Sequence, residues 1–451
     1  MKVLIILLLL LISNVIKSYA LLPSISKIQL SNKLRHSFAL SSSQSITSTS
    51  TSSSSLSSSS SSVLSSAAFI AGTTIGGGFL LLPLSTVPLG FVPSVIGLIF
   101  AWLYLLGSAL SLSKATINIM KRNQSLDTGT NISVFAIAKD TFGNLAGIIA
   151  AGLFIILMLS TLVAQLSKIG ILLPSINILF NKETAIASFA LFMSIITFSR
   201  GVQFAERINN ILTLTMMIAF GSIITAAPKA GFDFSRLFYR SNFRSLLPFN
   251  YESSITWAVP VFLQLLVYTE TIPLVVSRLD GDEKKIKKAI LLGSVIPLIM
   301  CIIWSMIAIG LVPVDIAVID PVDILLKSSP SKRIKSSLLL LTLSAVSTTV
   351  IGSCLTISQF LDDILKEKKV LSKPLSIIPA SLIAALGSQS LYYAATRFAG
   401  AFPVTLLWGL FPPVALLKTL ERESLPTSPS KNIGQYILIF LSISMLIINI
   451  I

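Results

Sequence analysis

The stretch Ala71-Gly72-Thr73-Thr74-Ile75-Gly76-Gly77-Gly78-Phe79-Leu80-Leu81-Leu82-Pro83 decides the fold. It sits in a hydrophobic run long enough to cross a bilayer, yet three consecutive glycines interrupt it. Glycine loses more backbone freedom in a helix than any other residue, so Gly76, Gly77 and Gly78 favour a break that frees peptide N–H and C=O groups. In hydrocarbon such groups are tolerated only against protein, a ligand or an aqueous cavity. A second irregular element, Val267-Tyr268-Thr269-Glu270-Thr271-Ile272-Pro273, follows about 195 residues later in another apolar run. Interrupted helices at corresponding places in two halves are the best sequence pointer to the substrate site of a secondary transporter.

Composition agrees. Hydrophobic residues are 53% of the 451 and charged ones 12%, with a mean hydropathy of +0.87. That is too much apolar sequence for one soluble core and marks an all-α polytopic membrane protein. The formal charge of +16 is spread over short inter-helix loops and forms no stripe with interleaved aromatics, so it speaks of membrane orientation and not of nucleic acid. The two cysteines, Cys301 and Cys354, lie inside apolar runs and read as buried structural thiols, with no disulfide framework and no thiolate metal site.

The first 62 residues are different material. Residues 1–20 carry an early lysine, an apolar core from Val3 to Ile12 and a small-x-small ending at Ser18-Tyr19-Ala20, the pattern of a cleavable signal peptide. Residues 21–62 are basic through Lys27, Lys33 and Arg35, rich in serine and threonine, and free of acidic groups; the first carboxylate of the chain is Asp127. A serine-rich, acid-poor segment behind a signal peptide resembles the two-part presequence of algae with complex plastids, which implies a plastid envelope protein. An ordinary secretory signal with a serine-rich tail, leading to the plasma membrane or endomembranes, and an uncleaved extra helix are the alternatives. Removal near residue 62 takes five basic residues and leaves a net charge of about +11.

Apolar runs near 20 residues predict about eleven spans, at 63–83, 88–113, 142–166, 184–199, 208–227, 254–277, 288–312, 336–360, 372–387, 390–417 and 433–451. The first ten fall into two sets of five, 63–227 and 254–417, within a transporter core of 63–425, and residues 426–451 carry the eleventh. An odd number per set makes the second enter from the opposite side, so two equivalent sets form an inverted repeat, each opening on its interrupted helix. With the mature N-terminus inside, about 18 lysines and arginines fall in inside loops and about 10 outside. The sequons at Asn123 and Asn131 fall in an inside loop and read as chance matches.

The run Phe69 to Leu80 with Leu82-Pro83, then Pro88-Leu89-Gly90-Phe91-Val92-Pro93-Ser94 and Trp102-Leu103-Tyr104, closely resembles the tryptophan/tyrosine permease family of aromatic amino acid permeases. A second block agrees: Val259-Pro260-Val261-Phe262, Leu266-Val267-Tyr268, Ile272-Pro273, Leu279-Asp280-Gly281-Asp282 and Ala289 to Leu298. The resemblance is nearest to the plant and algal branch. It implies a LeuT-type 5+5 fold with interrupted first and sixth helices, and symport of an aromatic amino acid with a proton. The chain departs from the family in carrying Thr269 where many members have histidine and Glu270 where the plant branch often has aspartate. Its sole histidine, His36, lies in the presequence.

Glu270 is the one carboxylate well inside an expected span, and a mid-membrane charge there costs about 2.5–3.5 kcal/mol on insertion scales. It reads as the proton-coupling group, as the partner of the substrate ammonium, or as a neutral structural carboxyl. The segment Gly72, Thr73, Thr74, Gly76, Gly77 and Gly78 offers amides and hydroxyls to a substrate carboxylate; tight packing of small residues is the alternative. Tyr268 and Thr269 complete the substrate site, Tyr268 either stacking on an aromatic substrate or packing. Ser344, Ser347, Thr348 and Thr349 on the eighth span are candidates for an ion site, or satisfy their own helix. Ser160, Thr161 and Gln165 on the third are candidates to line the substrate path. Arg397 reads as snorkelling near an interface, or as a partner of Glu270 or of an outer gate.

No cofactor or metal is implied, and the partners are an amino acid, a proton and the lipid bilayer, with oligomeric state open. A membrane enzyme finds no His-Glu-x-x-His and no paired intramembrane carboxylates, and a nucleotide-driven pump finds no phosphate-binding loop.

Overall fold

The computed structural model describes residues 57–125, 134–176, 180–239, 255–311, 331–365, 371–388, 391–422 and 432–450, together with 322 and 326. The expected signal peptide, most of the serine-rich segment and the sequon at Asn131 lie outside them, while Asn123 falls in the last turn of the helix at the second expected span. Among the described residues there is no strand. Long apolar runs in hydrocarbon must satisfy their own peptide groups, and only the helix does so within one segment.

The first membrane segment is α1 (Ser57–Thr74), a turn at Gly77–Leu81, and α2 (Leu82–Leu89), bent by 50° at the break. Then come α3 (Phe91–Ser125), a short α4 (Val134–Phe142), α5 (Asn144–Ile176), α6 (Lys182–Phe198), α7 (Val202–Ala226) and a short α8 (Ser235–Tyr239). The second half opens with α9 (Ile255–Leu266), a turn at Thr269–Thr271, and α10 (Ile272–Arg278). It continues with α11 (Glu283–Leu311), α12 (Lys332–Leu365), α13 (Ser372–Leu386), α14 (Leu391–Ala399), a π-wound stretch (Gly400–Leu410), α15 (Phe411–Arg422) and α16 (Ile433–Ile450).

A helix stands at each of the eleven expected positions, but among the described residues eight are long and apolar enough to cross a membrane, or nine with the bent first pair. The fourth and ninth, α6 and α13, have 17 and 15 residues, short of the roughly 20 that an untilted span needs. The third helix, expected to stop at 166, runs on to Ile176 because the apolar sequence continues past one lysine. The first begins at Ser57, within the serine-rich segment.

Polar contacts at the helix ends fall into two sets. At one end, Arg122 of α3 pairs with Asp140 of α4 (2.5 Å), and Arg422 of α15 donates to the carbonyls of Asp140 (2.6 Å) and Thr141 (3.1 Å). Arg278 there lies 4.5 Å over the Phe69 ring. At the other end, Lys182 donates to the Ala385 carbonyl (3.0 Å) and to that of Gly387. Arg333 donates to Ser222 and Thr225 (3.1 Å each), and Arg236 to the Gly310 carbonyl (3.2 Å).

The core sits around the two broken helices. A Cβ on Gly400 would stand 1.7 Å from the Pro260 carbonyl oxygen, so only glycine lets the π-wound stretch lie against α9. The last helix is largely exposed and docks through Ser442, whose hydroxyl meets that of Tyr104 on α3 at 2.7 Å.

Candidate functional site

Both breaks are built by local chemistry. At the end of α1, Thr73 donates to the carbonyls of Phe69 and Ile70 (3.0 Å each) and Thr74 to Ile70 (2.7 Å). These hydroxyls thus close their own helix. Gly76 is extended, and α2 starts with Leu82-Pro83, where proline's missing N–H is not needed. Close approach favours glycine here: a Cβ on Gly76 would meet Thr349 Oγ1 at 2.9 Å, and one on Gly77 would push aside the end of the Gln165 side chain, 2.0 Å from its Oε1.

At the second break the chain leaves α9 through Val267 and Tyr268, and the turn closes on itself. Thr271 donates its N–H (2.9 Å) and its hydroxyl (2.8 Å) to the Tyr268 carbonyl. Pro273 again occupies the first turn of the following helix. The two breaks are neighbours, since a Cβ on Gly78 would touch Leu265 at 3.6 Å.

The first break is held from three sides. Its Gly77 N–H donates to Thr349 Oγ1 of α12 (2.7 Å), its Gly77 carbonyl accepts from the Tyr392 hydroxyl of α14 (3.4 Å), and the Gln165 side chain of α5 covers its face. The Gly77 amide, expected to meet a substrate carboxylate, is therefore bonded to Thr349.

The unspent polar atoms lie around and beyond it. Gln165 Oε1, Ser160 Oγ, Thr269 Oγ1 and Glu270 Oε2 are buried and have no hydrogen-bond partner among the described residues. Thr269 is fully buried, whereas Glu270 is half-buried as a residue with only Oε2 sealed off. Buried polar atoms are nearly always bonded, and each exception marks a place where something else completes the set. Gln264 of α9 bridges to this wall, donating to Thr161 Oγ1 (3.2 Å) while its own Oε1 stays unmatched. Tyr268 is buried beside Ser294, which takes the Trp102 indole N–H (3.0 Å).

On α12, Ser344 donates to Leu340 (2.5 Å), and Thr348 and Thr349 both donate to Ala345 (2.9 and 3.0 Å). Thr349 alone of these three bonds to the first break, and Ser347 is buried. Gly72 and Thr73 on the α1 side are exposed, and Gly72 and Gly352 of α12 both face open space. Gly352 continues a partly exposed polar row through Thr348 and Thr356. On the α2 side the packing is closed: Phe79 stacks on Trp304 with ring centres 5.7 Å apart and meets Phe220 edge-on at 5.3 Å.

Arg397 is engaged elsewhere. It donates to Asn449 (3.1 Å) near the end of α16 and lies 3.6 Å over the Trp257 ring near the start of α9, so its partners are these and not Glu270. A groove of about 780 Å³ between α6 and α13, lined by Ile186, Leu191, Lys373 and Ile377, is apolar and involves neither break.

Sequence reasoning passed over Lys168. It lies on α5 one turn beyond Gln165, is fully buried, and holds its ammonium 5.6 Å from the centre of the Tyr392 ring. Such a contact, desolvated, is worth about 2 kcal/mol. The signal was present: Ile169 to Leu173 continue the apolar run beyond the lysine, so the charge lies inside a span and not at its end.

A bundle of apolar helices with two broken members meeting at unspent polar groups defines a membrane transport protein. A family model, the tryptophan/tyrosine permease family, matches residues 59–451, and the chain belongs to that family. Its members are permeases, not enzymes. The chain is 26% identical to the tyrosine-specific transport system 1 of Haemophilus influenzae over 76% of this chain and 87% of the relative. It is 25% identical to the tryptophan-specific transport protein of the same organism, over 86% and 94%. Among solved structures, a mutant manganese transporter of Eremococcus coleocola superposes with a TM-score of 0.57 at 14% identity, covering 90% of each chain, and this likeness is one of fold alone.

Proposed function

We propose that this protein is a secondary active transporter of an aromatic amino acid, tryptophan or tyrosine, coupled to proton movement and working by alternating access. The observation that carries the reading is Glu270, a partly buried carboxyl at the second break with one sealed, unpartnered oxygen. A carboxyl so placed can take a proton on one face of the membrane and release it on the other as the helices rearrange. Gly72, Thr73, Thr74, Gly76, Gly77 and Gly78 with Tyr268, Thr269 and Glu270 form the substrate site in this reading, and Ser160, Gln165, Ser347 and Thr348 serve an ion site or the substrate path.

The sorting of end contacts supports eleven alternating spans in a 5+5 inverted repeat. Every cross-link described above joins ends that this topology puts on one side, including Lys182 at the start of α6 with the end of α13. The excess of lysine and arginine in the loops shared with Arg122 and Arg422 makes that side the inside. Open space beside α1 and dense aromatic packing beside α2 then correspond to an inward-facing state.

Counterflow in proteoliposomes against the twenty amino acids tests the substrate, because exchange needs no assumption about coupling. Tyrosine or tryptophan should drive exchange without ATP; exchange confined to another amino acid would replace this reading with a carrier of that one. The plastid location rests on residues 1–62 alone, and a fluorescent protein carrying them should reach the plastid of an alga with complex plastids. Fluorescence confined to the secretory lumen or cell surface would overturn that location.

A further inference from the structure

Lys168 is a buried charge that the proton-coupling reading leaves without a task. It stands three residues from Gln165 on α5, and the Tyr392 ring that faces its ammonium carries the hydroxyl that donates to the Gly77 carbonyl. Gly77 is thereby gripped by Thr349 from α12, by Tyr392 from α14 and by Gln165 from α5. Two of these three contacts trace back to the same turn of α5.

We propose that Lys168 is a positioning residue that acts through Tyr392 to hold the first break in its substrate-binding shape. A cation against an aromatic face draws density from the ring, and a phenol so polarised is the stronger hydrogen-bond donor. Lys168 and Tyr392 are both buried, so solvent screens that influence on the Gly77 carbonyl little. The Gly77 carbonyl opens the 3-10 turn Gly77–Leu81, and the Tyr392 hydroxyl ties that turn to α14. Substrate affinity should follow the rigidity of this arrangement, since a break that wanders must be ordered again on each binding event. The inference rests on the reading of the first break as part of the substrate site.

The test is a mutant cycle in the full-length protein, reconstituted and assayed by L-tyrosine exchange and, in parallel, by L-tryptophan exchange. Lys168→Met and Tyr392→Phe should each raise KM about threefold, the lower range for one hydrogen bond as befits a 3.4 Å contact, while kcat stays within about twofold. The double variant should be no worse than either single one, and Lys168→Arg should recover most of the affinity. A merely structural lysine would lower the amount of folded carrier without moving KM, and would show no coupling to the Tyr392 hydroxyl. If Lys168→Met does not fold, Lys168→Gln, which drops the charge and keeps a polar end, carries the same cycle with Tyr392→Phe. Effects that multiply in the double variant, or an unchanged KM in Lys168→Met, would overturn the proposal. Full exchange in a Gly77→Leu variant would sink the first-break reading itself, whereas a dead Gly77→Leu beside a normal Lys168→Met would sink only this inference.

Discussion

The two breaks both end on an apolar residue followed by proline, Leu82-Pro83 and Ile272-Pro273, and differ in how their polar groups are used. At the first, the donor and the acceptor of Gly77 are both bonded to other helices, and the space above its Cα is filled by Gln165. At the second, the backbone closes locally through Thr271 while Thr269 Oγ1 and Glu270 Oε2 stay unmatched. One break is clamped by the scaffold; the other presents its polar atoms. A transporter needs both kinds. A fixed reference keeps the substrate's position defined, and an unmatched carboxyl supplies a group whose proton occupancy changes during the cycle.

The largest expected effect comes from breaking the clamped side. Gly77→Leu cannot be accommodated without displacing Gln165, since even a Cβ would lie 2.0 Å from its Oε1. Exchange should fall at least about 100-fold with the protein still inserted, as judged by membrane yield and size-exclusion profile. A smaller effect follows from Thr349→Val, which keeps the volume but leaves the Gly77 N–H without its acceptor. KM should rise about three- to tenfold, the range for one buried hydrogen bond, and an unchanged KM would mean the clamp does not set affinity. Smallest is Thr271→Val at the second break. It removes one of two donors to the Tyr268 carbonyl, and exchange kinetics should stay within about twofold because the Thr271 N–H remains. A larger loss would show that the second break is clamped as firmly as the first.

Most of the architecture could be read from the chain. Glycine triplets and the Ile272-Pro273 step mark breaks because their backbone consequences are local, and apolar length marks spans because the bilayer sets a fixed thickness. Helix ends were less legible. The third span was expected to end at 166, short of Lys168, whereas the apolar sequence on both sides of that lysine carries the helix on to Ile176. The pairing of elements was not legible at all. That Thr349 and not Ser347 reaches Gly77, and that Tyr392 meets both Lys168 and Gly77, depends on how α5, α12 and α14 rotate against the break. Arg397 shows the same limit: its partners Asn449 and Trp257 lie 52 and 140 residues away, and nothing local announces either.

The central claim is that the unmatched carboxyl of the second break carries the coupling. Glu270→Gln keeps the size and hydrogen-bonding capacity of the side chain but cannot ionise. Proteoliposomes containing this variant should retain counterflow exchange, in which no proton need be released, and lose accumulation driven by an imposed pH gradient. Accumulation at the wild-type rate under that gradient would contradict the account, and loss of exchange together with accumulation would reassign Glu270 to the substrate's ammonium group.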